Sequence, residues 1–221
     1  MDYKDKKVNK PWGNEYLIYN CKSSATWCLQ LDHDQKTSLH CHPNKKTGFL
    51  LLDGEVEIEL GFYQKTILKS PDKIMIRPGL FHATKAVSKN GARILEIESP
   101  VDKDDLVRFK DEYGRENKPY EGKDHMSDLD KNDIVFKDPS INSLNKYKIN
   151  NIDVCLEKYE QKKLLLEKNQ NTIFAVLDGG LVSENNQFVL SPGDIVRYDT
   201  IKKLCEVFEI KKTITFISIQ S

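Results

Sequence analysis

The sequence predicts an all-β protein built from two small antiparallel barrels, the second a degenerate copy of the first. Three observations carry this expectation. Short runs rich in β-branched and aromatic residues, bounded by Asp-Gly, Ser-Pro and Pro-Gly turns, fill residues 15–100 and resume after residue 150. No stretch after residue 150 has the period of a long amphipathic helix. The two halves also repeat one another.

The first half carries the chemistry. Phe49-Leu50-Leu51-Leu52-Asp53-Gly54-Glu55-Val56-Glu57-Ile58 reads as strand, tight turn, strand. Upstream, Leu39-His40-Cys41-His42-Pro43 reads as a strand. Side chains alternate along a strand with period two, so His40 and His42 share a face and Cys41 points the other way. Downstream, the Pro78-Gly79 turn leads into Leu80-Phe81-His82, whose histidine could complete a facial metal site. A lone strand histidine is ordinarily just a hydrogen-bonded polar residue. Two at i and i+2 with a third after the matching turn point instead to a metal, with His40, His42 and His82 as ligands. Cys41 is expected to be a small buried apolar residue, and His33 and His125 to lie at the surface. Lys45 and Lys46 follow on the loop at the barrel mouth, where a solvated charge pair is the default expectation. Glu96 and Glu98 alternate with Leu95 and Ile97, so one of the two faces looks inward.

The repeat locates the second half. Phe49–Gly54 is echoed by Phe174-Ala175-Val176-Leu177-Asp178-Gly179, and Lys69–Ile76 by Leu190-Ser191-Pro192-Gly193-Asp194-Ile195-Val196-Arg197. Carried across at those offsets, His40 falls on Leu165, His42 on Glu167 and His82 on Lys203. The barrel pattern is retained and the metal ligands are lost. The boundaries expected are a metal-binding barrel with its tail at 8–115, a charged linker at 116–145 and a degenerate barrel at 146–221. Asp104–Phe109 is expected to form a short helix or a crossing strand, and residues 116–140 an extended, solvated connection.

Composition excludes several classes. The 34 basic and 34 acidic residues cancel, so no field for nucleic acid or a membrane surface is implied. No apolar run approaches the ~20 residues of a membrane span, and residues 1–7 do not read as a signal peptide. The five cysteines (Cys21, Cys28, Cys41, Cys155, Cys205) form no CxxC pair. Reduced thiols and a cytoplasmic location are expected. No helix-turn-helix pattern accompanies the barrels, which argues against a DNA-binding regulator.

His40–Gly54 and Pro78–His82 resemble the two signature motifs of the cupin superfamily, implying a bicupin of jelly-roll-type barrels. Lys10-Pro11-Trp12-Gly13 followed by Glu15-Tyr16 resembles the opening element of one branch, the isomerase domain of type II mannose-6-phosphate isomerase/mannose-1-phosphate guanylyltransferase enzymes. Asp104-Asp105-Leu106-Val107-Arg108-Phe109-Lys110-Asp111-Glu112-Tyr113-Gly114-Arg115 resembles that branch's tail. The resemblance spans residues 8–116. It implies a divalent metal, zinc first, with iron, manganese, nickel or cobalt as alternatives. It also implies a small phosphorylated sugar as substrate, with Lys46 and Arg108 as candidate substrate-binding residues, and an aldose–ketose isomerisation. Homodimerisation is common among cupins and is expected on that ground alone.

Departures from the pattern accompany the match. The first motif's glutamate is Thr47, the isomerase branch's Gln-x-His is His40-Cys41-His42, and the second motif's asparagine is Ala86. The expected ligand set is therefore three neutral histidines with no carboxylate. Such a metal would be a stronger Lewis acid, held less tightly. No general base is assigned. Two alternatives remain open: an iron(II) three-histidine cupin dioxygenase, and a non-catalytic sugar-binding cupin.

Overall fold

The computed structural model describes residues 2–220. The first half contains β1 (Lys6–Lys10), β2 (Gly13–Asn20), β3 (Ala25–Leu31), β4 (Leu39–Cys41), β5 (Lys46–Asp53), β6 (Glu55–Leu60), β7 (Gln64–Lys69), β8 (Asp72–Ile76), β9 (His82–Ala86), β10 (Ala92–Ser99) and β11 (Val107–Lys110). After β12 (Met126–Asp128), the second half contains β13 (Ser143–Ile149), β14 (Ile152–Tyr159), α1 (Lys162–Leu166), β15 (Thr172–Val182), β16 (Phe188–Leu190), β17 (Ile195–Arg197), α2 (Tyr198–Val207) and β18 (Glu209–Gln220).

The all-β expectation holds, with antiparallel pairing throughout. A seven-stranded sheet, β12-β1-β2-β3-β10-β5-β8, faces a five-stranded sheet, β11-β4-β9-β6-β7. Alternation decides what lies between them. Trp27, Leu29, Phe49, Leu51 and Ile94 point inward and meet Val56 and Ile58 of the smaller sheet. Lys10-Pro11-Trp12-Gly13 is the turn of the β1–β2 hairpin and delivers Trp12 to this core. Gly13 is obligatory there: its φ is +137°, and a Cβ would stand 2.0 Å from the Gln30 carbonyl oxygen.

The outward face of the seven-stranded sheet is apolar too. Cys28, Leu50, Leu52, Leu95 and Ile97 pack against Val154, Leu156, Ile173, Ala175, Ile217 and Ile219 of the second half in one continuous cluster. The second half is a single six-stranded sheet, β13-β14-β18-β15-β16 with β17 on β15. The repeat is structural: β10-β5-β8 reappears as β18-β15-β17. What differs is the other layer. Leu165, the counterpart of His40, lies in α1, and Lys203, the counterpart of His82, lies in α2. Two short helices thus stand where the first half has its histidine-bearing strands, and the sequence reading did not place them. Helix α2 had a legible period, with Ile201 and Cys205 buried one turn apart against Phe174, Val176 and Phe216.

Of the two alternatives for Asp104–Phe109, the strand is the one formed: β11 (Val107–Lys110) pairs with β4. Residues 116–140 are not simply solvated: β12 extends the large sheet alongside β1, and Phe136 is buried in the cluster between the halves. Among the described residues, no helix is long and apolar enough to cross a membrane, and all five cysteines are free.

Because one apolar cluster serves both halves, they should unfold together. Leu50→Ala, at a fully buried position of that cluster, is expected to cost about 2–5 kcal/mol. Urea unfolding followed by far-UV circular dichroism and tryptophan fluorescence should give one coincident transition at a lower midpoint. Two separated transitions would contradict a shared core.

Candidate metal centre

The three predicted histidines converge. His40 on β4 pairs directly with His82 on β9, and the ring centroids of His40, His42 and His82 lie 4.4–5.5 Å apart. One ring nitrogen from each lies within 4.8 Å of the others. Each Nδ1 is tied to a backbone carbonyl: His40 to Ser38 at 2.8 Å, His42 to Asp105 at 2.7 Å and His82 to Leu80 at 3.1 Å. A carbonyl only accepts, so each Nδ1 carries the proton and each Nε2 presents its lone pair. The Nε2 atoms of His42 and His82 are buried without a hydrogen-bond partner. Burial, then the charge of Lys45, pushes His42 down to about 4. Burial, then His42, pushes His82 down to about 3. Burial and the other two imidazoles hold His40 well below its ordinary value. Pinned, neutral and orphaned nitrogens are the donor set that a divalent metal requires, and the residues present fit one.

A carboxylate pair lies beside them. Strand β10 turns Leu95 and Ile97 to the cluster between the halves, so Glu96 and Glu98 both face inward, 6% and 2% exposed. Carboxylate oxygens of both lie within 4.8 Å of one another and of a His42 ring nitrogen. Thr47, where the motif has its glutamate, brings no carboxylate, and its cross-strand partner on β10 is Glu98. Burial and the adjacent Glu98 charge raise Glu96 well above the usual carboxylate range. Glu98 stays below that range despite burial, because Lys103 and Lys45 face it; both ammoniums lie 3.3 Å from its Oε1.

The sequence reading misassigned the two loop lysines. Lys45 is no solvated charge: its side chain is 1% exposed inside the cavity. Lys46 does not reach the site. It precedes the inward-facing Thr47, so it points the other way and bonds Ser191 Oγ and Asp194 Oδ1, each at 2.8 Å. Arg108 does line the cavity, yet its guanidinium donates to the carbonyls of Lys118 (2.7 Å) and Pro119 (2.8 Å) and pairs with Glu121. The other charges of the tail have comparable duties. The Asp105 carboxylate accepts from the backbone N–H groups of Asn44 and Lys45, holding the loop after His42. Asp111 binds the Arg115 guanidinium and backbone N–H.

The segment Asn117–Gly122 roofs the mouth. Tyr120 lines the cavity, its hydroxyl bonded to Glu15 and its ring 3.7 Å from the Lys10 ammonium. Lys10 and Arg115 reach Glu121 from either side. Nothing in the sequence of this polar loop marked Tyr120 or Glu121, because their positions depend on how the chain crosses the barrel. The cavity is about 60 Å³ and is lined by Lys10, Lys45, Lys103, Arg108 and Arg115 among others. Beyond Tyr120, Lys10 and Arg115 lies an outer cleft of about 570 Å³.

The buried histidines set a pH dependence. The unfolded chain takes up their protons from about pH 6.5 downward, whereas His42 and His82 in the fold do so only near 4 and 3. The unfolded state binds more protons in that window. Stability of the metal-free protein is therefore complete above about pH 7 and falls on acidification, by up to about 1.4 kcal/mol per pH unit per histidine. Urea unfolding between pH 7 and 5 should show this fall, with a shallower slope for His42→Asn. Equal slopes would contradict burial of a neutral His42.

Residues 2–111, just under half of the chain, match the family described as mannose-6-phosphate isomerase C-terminal. No curated protein matches the chain. Among solved structures, KdgF from Halomonas sp. is 18% identical, with a TM-score of 0.42 over 45% of this chain and 91% of that one. A conserved protein with a double-stranded beta-helix domain from Klebsiella pneumoniae is 15% identical, with a TM-score of 0.41 over 50% and 90%. The DMSP lyase DddQ from Ruegeria pomeroyi is 18% identical, with a TM-score of 0.39 over 42% and 50%. The histidine-bearing half of the chain is accordingly similar to the family described as mannose-6-phosphate isomerase C-terminal, which it matches over residues 2–111.

Proposed function

We propose that this chain is a metal-dependent cupin enzyme that interconverts the aldose and ketose forms of a phosphorylated sugar. One observation supports this above the rest: three pinned, neutral imidazoles converge, and two of them, His40 and His42, line a cavity that also holds a buried carboxylate pair and five cations. His40, His42 and His82 would hold the ion, zinc first. A divalent metal there supplies Lewis-acid polarisation of neighbouring hydroxyl and carbonyl oxygens.

The chain's own residues carry the remainder. Glu96 is the group suited to moving the proton between the two sugar carbons, because burial brings its carboxyl toward neutral pH. Lys103 and Lys45 keep Glu98 anionic beside it. Lys10 and Arg115 line both the cavity and the outer cleft, where they would meet a phosphate. A 60 Å³ cavity is well below the roughly 300–1,000 Å³ of ligand pockets. Sugar binding therefore requires the Asn117–Gly122 roof to move, joining cavity and cleft, and its return excludes water. The five free thiols suit the reducing cytoplasm.

The three-histidine donor set favours a second reading, iron(II) oxygen chemistry, and one set of assays separates the two. Zinc-loaded protein in D2O with mannose 6-phosphate or fructose 6-phosphate is expected to exchange deuterium at the carbon beside the carbonyl, seen by proton NMR. His82→Ala should abolish both metal content and exchange. Glu96→Gln should keep the metal and slow exchange by about 10²–10⁴-fold. Absence of exchange across aldose and ketose phosphates would overturn the isomerase reading. Oxygen consumption with iron and none with zinc would favour the second.

A further inference from the structure

We propose that Lys10, Arg108 and Arg115 form a phosphate subsite that this chain plugs with its own Glu121, so that a phosphorylated ligand binds by expelling that carboxylate and lifting the roof. The choice of ligand rests on the sugar-phosphate reading above, whereas the plug itself needs neither the metal nor turnover. Glu121 lies beyond the residues 2–111 that match the family.

Three cations meet on one carboxylate. Lys10 comes from the end of β1, Arg108 from β11 and Arg115 from the loop after it. Lys10 binds Oε2, Arg115 reaches Oε1 at 2.8 Å, and Nη2 of Arg108 stands 3.3 Å from both oxygens. None of the four side chains is more than 11% exposed. They form the partition between the two spaces: Lys10 and Arg115 line both cavity and outer cleft, Arg108 lines the cavity and Glu121 the cleft.

Glu121 fits Arg108 poorly. A carboxylate that matches a guanidinium takes two adjacent nitrogens in parallel. Here one nitrogen straddles both oxygens at long range, and the Nε beside it is buried without a partner. An unpaired buried donor is costly. A phosphate group has three terminal oxygens and close to twice the charge of a carboxylate at neutral pH, enough to take the Nε edge as well as Lys10 and Arg115. The rest of the pocket survives the departure of Glu121. Arg115 stays held by Asp111 at 2.6 and 3.0 Å, and Lys10 stays 3.6 Å from Glu15. Among the described residues, every hydrogen bond of the Arg108 guanidinium goes to the roof, through Glu121 and the carbonyls of Lys118 and Pro119. An oxyanion seated on Arg108 therefore competes with all of these fastenings at once.

The test is a calorimetric titration of inorganic phosphate into the EDTA-treated full chain, compared with Glu121→Gln and the double variant Glu121→Gln/Arg108→Gln. Amide exchange of residues 117–122 is followed by mass spectrometry with phosphate, or with chloride at equal ionic strength. Glu121→Gln is expected to bind phosphate at least about tenfold more tightly, because the fraction of protein with an open subsite rises. The double variant should lose that gain. Phosphate, and not chloride, should speed exchange of the roof in the unaltered protein. Unchanged or weaker phosphate binding in Glu121→Gln, or a gain that persists without Arg108, would overturn the proposal. Mannose 6-phosphate titrated in parallel separates the sources: tighter binding than inorganic phosphate supports a sugar phosphate as occupant, and binding of the free ion alone overturns that choice. Should Glu121→Gln fail to fold, the unaltered protein decides, faster roof exchange at high phosphate supporting the plug and unchanged or slower exchange overturning it. A plug verified in this way without deuterium exchange at a sugar carbon would stand while the isomerase reading fell.

Discussion

The structure depends on the alternation of one strand. β10 lies between β3 and β5 in the large sheet, and its two faces meet unlike environments. Leu95 and Ile97 are fully buried against the second half, whereas Ala92, Ile94, Glu96 and Glu98 face the barrel interior. A slip of one residue would exchange the faces, placing carboxylates in an apolar cluster and leucine beside the histidines. The apolar contact between the halves thereby holds the register that keeps two carboxylates in the cavity. Structural and chemical roles of the two halves are coupled through this strand, although the second half has no ligand of its own.

Keeping that many charges dry demands compensation. Removing an ion from water costs several kcal/mol even after relaxation, so each buried charge here has an opposite within reach. Glu15 is held down to about 2 by Lys10 and Lys103 in spite of burial. Those lysines are in turn placed on aromatic faces, Lys103 3.6 Å from the Trp27 ring centre and Lys10 3.7 Å from that of Tyr120. Glu121 joins Arg108, Arg115 and Lys10. The roof over the cavity is thus fastened by polar contacts and few apolar ones, an arrangement that a charged ligand can compete with. The same network explains the tail after β10: Asp105, Arg108, Asp111 and Arg115 each set a loop or a wall of the cavity.

The two halves also show how a barrel layer is replaced without loss of the sheet it covers. β5 and β15 pair in equivalent ways and carry equivalent glycines that a side chain could not occupy: Gly54, just past the end of β5, with φ +82°, and Gly179, within β15, with φ +65°. Yet α1 and α2 cover the six-stranded sheet where β4 and β9 cover the other. The apolar face needed burial, and an amphipathic helix offers that as readily as a strand does. A helix does not bring three side chains to one point in the same way, and the counterparts of the histidines accordingly carry no donor set.

The sequence by itself determined the all-β class, the internal repeat and the three histidines, because each of these is a local pattern: period two along a strand, a turn residue at a fixed place, an HxH and its partner after Pro-Gly. It also showed that Glu96 and Glu98 share a face. Only the tertiary structure decided that this face is the inner one, since that depends on which apolar surface the second half covers. It likewise turned Lys46 outward and Lys45 inward, set two helices over the second sheet, and folded Tyr120 and Glu121 from an apparently solvated linker over the cavity. Each of these results from contacts between residues far apart in the chain, whose outcome is set by competing burial and charge pairing rather than by any local pattern.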